Sequence, residues 1–207
     1  MIKRGLVLGL TIVFSLVVAA CGGGPQSGGS DTGGGATGGG NAEYTMKIAH
    51  ASAPDSARDQ GAQKVKEVVE AESNGSISVE IYPASQLGGT TDLIEGMQIG
   101  SIESVILPAA FLGGFQPLMG MMDLPFFWPT DPEVLREVHD SDAAEQLLAT
   151  TDEIGVTSLD IWHTGYKQWT AGKALPTPAD YQGLKVRAMP SPVLVEQDKV
   201  LGMDPIS

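Results

Sequence analysis

The chain has 207 residues, with 25 acidic against 12 basic side chains and a formal net charge of −13. That length allows one or two domains with a sizeable core. The acidic balance excludes nucleic acid and a polybasic contact with membrane as general partners, while leaving room for an anion in a locally basic pocket.

The first twenty residues form a targeting segment. Lys3 and Arg4 supply its positive start. The apolar run from Gly5 to Ala20 is short for a membrane span and suits a signal peptide. It ends in Val18-Ala19-Ala20-Cys21, which resembles the lipobox of bacterial lipoproteins. That resemblance implies cleavage before Cys21 and lipid on its sulfur and its new amino group. Several acyl chains anchor a protein stably where one does not. An ordinary secretory signal followed by a stray cysteine is the alternative. Cys21 is the only cysteine, so no intramolecular disulfide framework exists. Residues 1–20 are therefore read as a lipoprotein signal peptide, and residues 21–43 as a lipidated cysteine and a flexible tether. Over half of Gly22 to Asn41 is glycine, a composition that buries nothing.

Tyr44 to Ala49 reads as a first strand. Pro54 and Asp55 open a helix with Ala57, Gly61, Val65, Val68 and Val69 on one face, stopped by Ser73-Asn74-Gly75. Ile77 to Tyr82 alternates as a strand. Thr90 and Thr91 cap a helix holding Leu93, Ile94 and Met97, and a third strand spans roughly Glu103 to Leu107. Strand, helix, strand, helix, strand implies a parallel sheet covered by helices.

Pro108 to Phe127 is apolar but broken by glycine and proline, so a short helix followed by an apolar loop is expected, packed as core or cleft wall. Asp131 or Pro132 starts a helix to about His139. Another runs from Ser141 to Ile154, closed by Gly155. Val156 to Trp162 reads as a strand crossing between two lobes. Thr177-Pro178-Ala179-Asp180 starts one helical turn.

Leu184 and Val186 then form a short strand with Arg187 at its C-terminal end. Ser191 caps a helix and Pro192 fits its first turn. An arginine fork and the free N–H groups of a helix start both favour an anion, and guanidinium pairs with a planar carboxylate through two parallel hydrogen bonds. The other reading of the same residues is a strand-end arginine in a surface ion pair. A further strand is expected to begin near Met203-Asp204-Pro205-Ile206-Ser207.

Taken in order, these residues resemble the extracytoplasmic solute-binding proteins of TRAP transporters, the DctP type. Lys47-Ile48-Ala49-His50 is similar to that family's opening strand. Asn74-Gly75-Ser76-Ile77-Ser78-Val79 with Tyr82-Pro83-Ala84-Ser85-Gln86-Leu87-Gly88 resembles its G-x-I-x-V-x-x-[YF]-P-x-x-Q-L-G run. Leu124-Pro125-Phe126 resembles L-P-[FY]. The segment from Thr177 to Arg187 resembles T-P-x-D-[LM]-x-G-L-K-[IV]-R and is the most specific match. The resemblance implies an α/β, two-lobed architecture like that of periplasmic binding proteins, with a ligand cleft between the lobes. Residues 44–162 make the first lobe and 163–207 the start of a second, which the resemblance leaves incomplete, so the chain is expected to be truncated. The implied function is capture of a small organic acid, a dicarboxylate or another carboxylate, and delivery to TRAP membrane permease subunits. The site is the outer side of the bacterial cytoplasmic membrane or the periplasm. No cofactor and no chemical step are implied. By the resemblance Arg187 pairs with the ligand carboxylate. Gly165-Tyr166-Lys167 places Lys167 where the family usually has a second arginine, keeping the charge but losing the fork.

Other candidates have weaker signals. His50 follows the first strand, where open α/β sheets present ligand contacts, and reads as a polar contact at the cleft rim or a solvent-exposed side chain. Trp162 and Trp169 either wall the cleft or pack in the core. Ser191 belongs to the anion site through its helix start. His139 reads as surface and His163 as orienting or exposed. No histidine pair has metal-ligand spacing, so no metal is expected. There is no G-x-S-x-G, Walker or dinucleotide-binding motif. The rival functions are a solute-binding lipoprotein of an ATP-driven importer and, with less support, a surface-anchored hydrolase, for which no nucleophile–base arrangement is found.

Overall fold

A computed structural model describes residues 42–206. The signal segment, Cys21 and all but the end of the tether lie outside the described residues, as does Ser207. Two parallel sheets organise the fold. In the first, strand β1 (Tyr44–Ala49) is central, with β2 (Ile77–Tyr82) on one side and β3 (Ser104–Val105) on the other. Parallel neighbours need a crossover, and here helix α1 (Ala57–Glu72) joins β1 to β2 while α2 (Thr90–Gln98) joins β2 to β3. Ala49 pairs with Tyr82 on one side and Val105 on the other.

Alternation along β1 divides the core. Ile48 packs with Ala62 of α1 and Val79 of β2, joined by Val65, Val69 and Ile81. Its neighbour Ala49 faces the opposite way, toward Leu93 of α2 and Ile102. A third cluster gathers Ile94, Leu112, Met119 and Leu148, with Phe111 and Phe115 against it.

Both helix starts differ from expectation by a residue or two. Ser56 caps α1, its side chain accepting the Asp59 N–H, and Asp55 is left-handed at φ 62°, outside the helix. In α2 the cap is Gly89, whose N–H donates to the Asp92 carboxylate at 2.8 Å, and Thr90 is already helical. A carboxylate reaching back to a free N–H stabilises a helix start as well as a hydroxyl cap does. Val68, placed on the inner face of α1 by periodicity, is 46% exposed, and Ala62 is the buried centre instead.

Between Pro108 and Phe127 the chain forms two 3-10 segments, Ala109–Gly114 and Pro117–Asp123. Helix α3 (Pro132–His139) begins at its Asp131 cap. Helix α4 (Asp142–Ala149) does not run to Ile154; its last turn tightens to a 3-10 segment, Thr150–Ile154. There the hydroxyls of Thr150 and Thr151 donate back to the carbonyls of Leu147 and Leu148. Gly155, at φ 74°, then reverses the chain in a conformation glycine adopts without strain.

The expected strand from Val156 to Trp162 is not formed. Its Ser158 N–H donates to Thr151 Oγ1 and its Ile161 N–H to Asp160 Oδ1, so these donors serve side chains in place of a ladder. The second sheet pairs β4 (Lys185–Arg187) in parallel with β5 (Asp204–Ile206), and helix α5 (Pro192–Val200) is the crossover. Among the described residues no helix is long and apolar enough to cross a membrane.

The core assignment predicts two contrasting substitutions. Ile48 is 1% exposed and Ile99 is 80% exposed. Ile48→Ala should cost about 2–5 kcal/mol through lost burial and a cavity. Ile99→Ala should stay within about 0.5 kcal/mol of the parent. Urea unfolding midpoints of the two variants measure the difference.

Candidate functional site

The second sheet and its crossover helix shape one pocket. β4 ends at Arg187, followed by Ala188 and Met189. Helix α5 presents Leu194, Gln197 and Asp198, which share a face at i, i+3 and i+4 spacing. The irregular run after Gly165 adds Lys167, Gln168 and Trp169. Together these residues enclose about 440 Å³, within the range of small-molecule sites. The Trp169 ring meets Tyr181 edge-on with centroids 5.2 Å apart, which fixes one wall.

Arg187 and Lys167 thus line the same pocket although the expected crossing strand is absent. Among the described residues no carboxylate stands within ion-pair distance of the Arg187 guanidinium, and the residue is exposed. Lys167 is different. Its ammonium donates to Asp123 Oδ1 at the end of the second 3-10 segment. The Asp123 side chain is only 2% exposed, and its other oxygen is buried without a partner. Asp123 is thus an unanticipated member of the site. A signal for it existed: it is the sole charged residue between Ser104 and Thr130, in an otherwise apolar run. A charge in such a run must find a counter-charge or a hydrogen bond.

Asp198, also unanticipated, is 5% exposed, and burial pushes its carboxyl pKa above the ordinary value. Its position, one residue past Gln197 on a helix otherwise holding Val193, Leu194 and Val195, gave no distinct sequence cue.

Three of the expected site residues stand elsewhere. Trp162 lies over Gly61 of α1 and borders a separate apolar hollow with Val65, Val68 and Val69. A Cβ on Gly61 would come within 2.6 Å of the indole, so that glycine is what admits the ring. His50 is neither exposed nor at a rim. It is wholly buried, with Nε2 3.0 Å from Asp59 Oδ1 and Nδ1 unpartnered. Asp59 falls on the inner face of α1 three residues before Ala62. Its second oxygen accepts the Asp55 N–H at 3.0 Å. Ser191 does occupy the cap position of α5, yet its hydroxyl makes no cap bond; it is buried without a partner beside Gly113.

Of the other histidines, His139 is half-buried against Trp128 instead of lying on the surface, and burial, then the nearby His163, lowers its pKa. His163 is exposed and edge-on to Tyr166. Among the described residues no three metal-ligating side chains come together.

Comparison with known proteins places this geometry in context. The family model for bacterial extracellular solute-binding proteins, family 7 (DctP), matches residues 48–207. The C4-dicarboxylate-binding periplasmic protein DctP of Rhodobacter capsulatus is 35% identical over 164 residues, covering 77% of this chain and 48% of that protein. A TRAP periplasmic solute-binding protein from Desulfovibrio salexigens, solved with orotic acid bound, superimposes with a TM-score of 0.76 at 37% identity, covering 79% of this chain and 52% of its own. One from Sulfurospirillum deleyianum, with bound succinate, gives a TM-score of 0.73 at 30% identity, covering 79% and 53%. The chain therefore spans about half the length of the relatives it matches.

The raised pKa of Asp198 predicts a pH-dependent gain from removing its charge. The folded state holds this proton more tightly than the unfolded chain does. The associated stability is complete below the unfolded value of 3.8 and is lost as pH rises through the raised folded value. Asp198→Asn should therefore melt at a higher temperature than the parent near neutral pH. The gain should shrink toward zero by about pH 3. Thermal melts across that range test it.

Proposed function

The chain belongs to the DctP-type bacterial extracellular solute-binding proteins, and from that premise we propose that it captures a small carboxylate and passes it to the membrane permease of a TRAP transporter. The relatives compared are solute-binding proteins and not enzymes. The observation that carries the ligand assignment is the convergence of Arg187 and Lys167 on one pocket with the arginine fork unpaired among the described residues. Guanidinium presents two parallel N–H donors to a carboxylate, and the partly enclosed pocket strengthens that pairing. Trp169, Met189 and Leu194 supply apolar walls for the ligand's carbon frame.

In this proposal Arg187 is the carboxylate anchor. Lys167 adds a second positive edge whose charge Asp123 partly satisfies. Trp162, His50 and Ser191 support the fold around the site: Trp162 seats on α1, His50 ties the end of β1 to α1, and Ser191 starts α5. The proposed division is a first lobe over residues 44–162 and a second beginning at 163, closing on the ligand when both sides gain contacts with it. Lipid on Cys21 and the tether of residues 21–43 hold the domain at the outer face of the cytoplasmic membrane, within reach of the permease.

Two measurements check this. Breaking a charge-assisted carboxylate pair in an enclosed site costs about 2–5 kcal/mol. Arg187→Ala should therefore weaken binding of succinate, L-malate or galactonate, whichever the parent binds, by roughly 30-fold or more. Arg187→Lys should recover only part, and Lys167→Ala should cost less than Arg187→Ala. Calorimetric titration with circular dichroism as a folding control reads the result; a folded Arg187→Ala variant binding within about twofold of the parent would remove the residue from the site.

The anchor has its own test. Cys21→Ser should move the protein from the membrane fraction to the soluble fraction or leave the signal segment uncleaved. Retention and maturation like the parent's would mean that the membrane attachment does not run through Cys21.

A further inference from the structure

The pocket lining holds two bases, Lys167 and Arg187, and one acid, Asp198. Lys167 is paired with Asp123, so within the pocket Arg187 faces the ligand as the unpaired cation, and Asp198 stands on the same wall system as the unpaired acid. The Asp198 residue is 5% exposed, and its carboxylate makes no salt bridge with any described cation. It shares the face of α5 that lines the pocket with Leu194 and Gln197. The remaining polar lining, Gln168 and Gln197, is neutral and carries both donors and acceptors.

We propose that Asp198 is the residue that sets the ligand class: it reads a hydrogen-bond donor on a monocarboxylate and discriminates against a second carboxylate. The proposal rests on the carboxylate reading of the pocket and adds to it. The first carboxylate takes the fork of Arg187. A second one, on a four-carbon diacid, would enter a half-enclosed volume already holding the Asp198 charge, where like charges are poorly screened. A hydroxyl or ammonium at the same place donates to Asp198 and leaves the pocket close to neutral. A ligand that supplies a donor there gains a charge-assisted hydrogen bond that a second carboxylate cannot make.

The test is calorimetric titration of the full chain and two variants with three probes: succinate, galactonate with its hydroxyl donors, and L-glutamine with its ammonium donor. The parent should bind galactonate or L-glutamine at least about tenfold more tightly than succinate, and the preferred one identifies the donor. Asp198→Asn keeps size and an acceptor but removes the charge. It should bring succinate to within about threefold of the preferred probe. Arg187→Ala should weaken binding of every probe by roughly 30-fold or more. Succinate binding the parent as tightly as the other two, or an unchanged ratio in Asp198→Asn, overturns the role of Asp198 while leaving the carboxylate reading intact. If none of the three probes binds the parent, that reading fails and this inference falls with it. Circular dichroism confirms that each variant is folded.

Discussion

The constraint on which the rest of this molecule depends is parallel pairing. A strand cannot be joined to a parallel neighbour by a tight turn, so each pairing obliges the chain to leave one end of the sheet and return to the other. β1 satisfies this twice and β4 once. All C-terminal strand ends then gather on one side of each sheet, and the chemistry follows them: His50 just past β1, the Pro83–Gly88 loop just past β2, Arg187 closing β4. In the first sheet that edge is knitted shut. The Ala84 N–H donates to Ser52 O at 2.8 Å and the Ser85 N–H to His50 O at 3.2 Å, with Ala84 and Ser85 both left-handed. Non-glycine residues are held there only where surrounding bonds over-determine the backbone. In the second sheet the corresponding edge carries Arg187, Ala188 and Met189, which line the pocket.

The regular elements were legible because their signals are local. Alternation in Ile77–Tyr82 and helical spacing around Val65 and Val69 each state a buried face within a few residues. The Thr177–Asp180 turn was readable for the same reason: the Asp180 carboxylate accepts from both the Thr177 N–H and its hydroxyl, a pattern written in four residues. What failed was partly non-local and partly a matter of side chains competing for local backbone groups. Val156 to Trp162 has the composition of a strand, but a strand exists only where a neighbour accepts its hydrogen bonds. The tightening at Thr150 and Thr151 depended on hydroxyl bonds that compete with the helix ladder, and the cap of α2 on a carboxylate three residues on.

The site divided along the same line. Arg187 was legible because strand end and helix start adjoin it in sequence. Lys167 was legible from the resemblance, whereas its partner Asp123 lies 44 residues earlier and only folding joins them. His50 was placed correctly in the chain and wrongly in space. Position after a strand told of proximity to the edge, but its burial was decided by Asp59 on the next helix. Trp162 belongs to α1 because Gly61 leaves the space for an indole, a fact that resides in the glycine and not in the tryptophan.

The tie between Lys167 and Asp123 has a mechanical consequence. Asp123 terminates a short 3-10 segment whose Met119 packs in the core cluster with Ile94, Leu112 and Leu148. One wall of the pocket is therefore tied through Lys167 to the apolar core. In the proposed site a shift of residues 117–123, which do not line the pocket, would reach the wall formed by Gln168 and Trp169 through that ion pair.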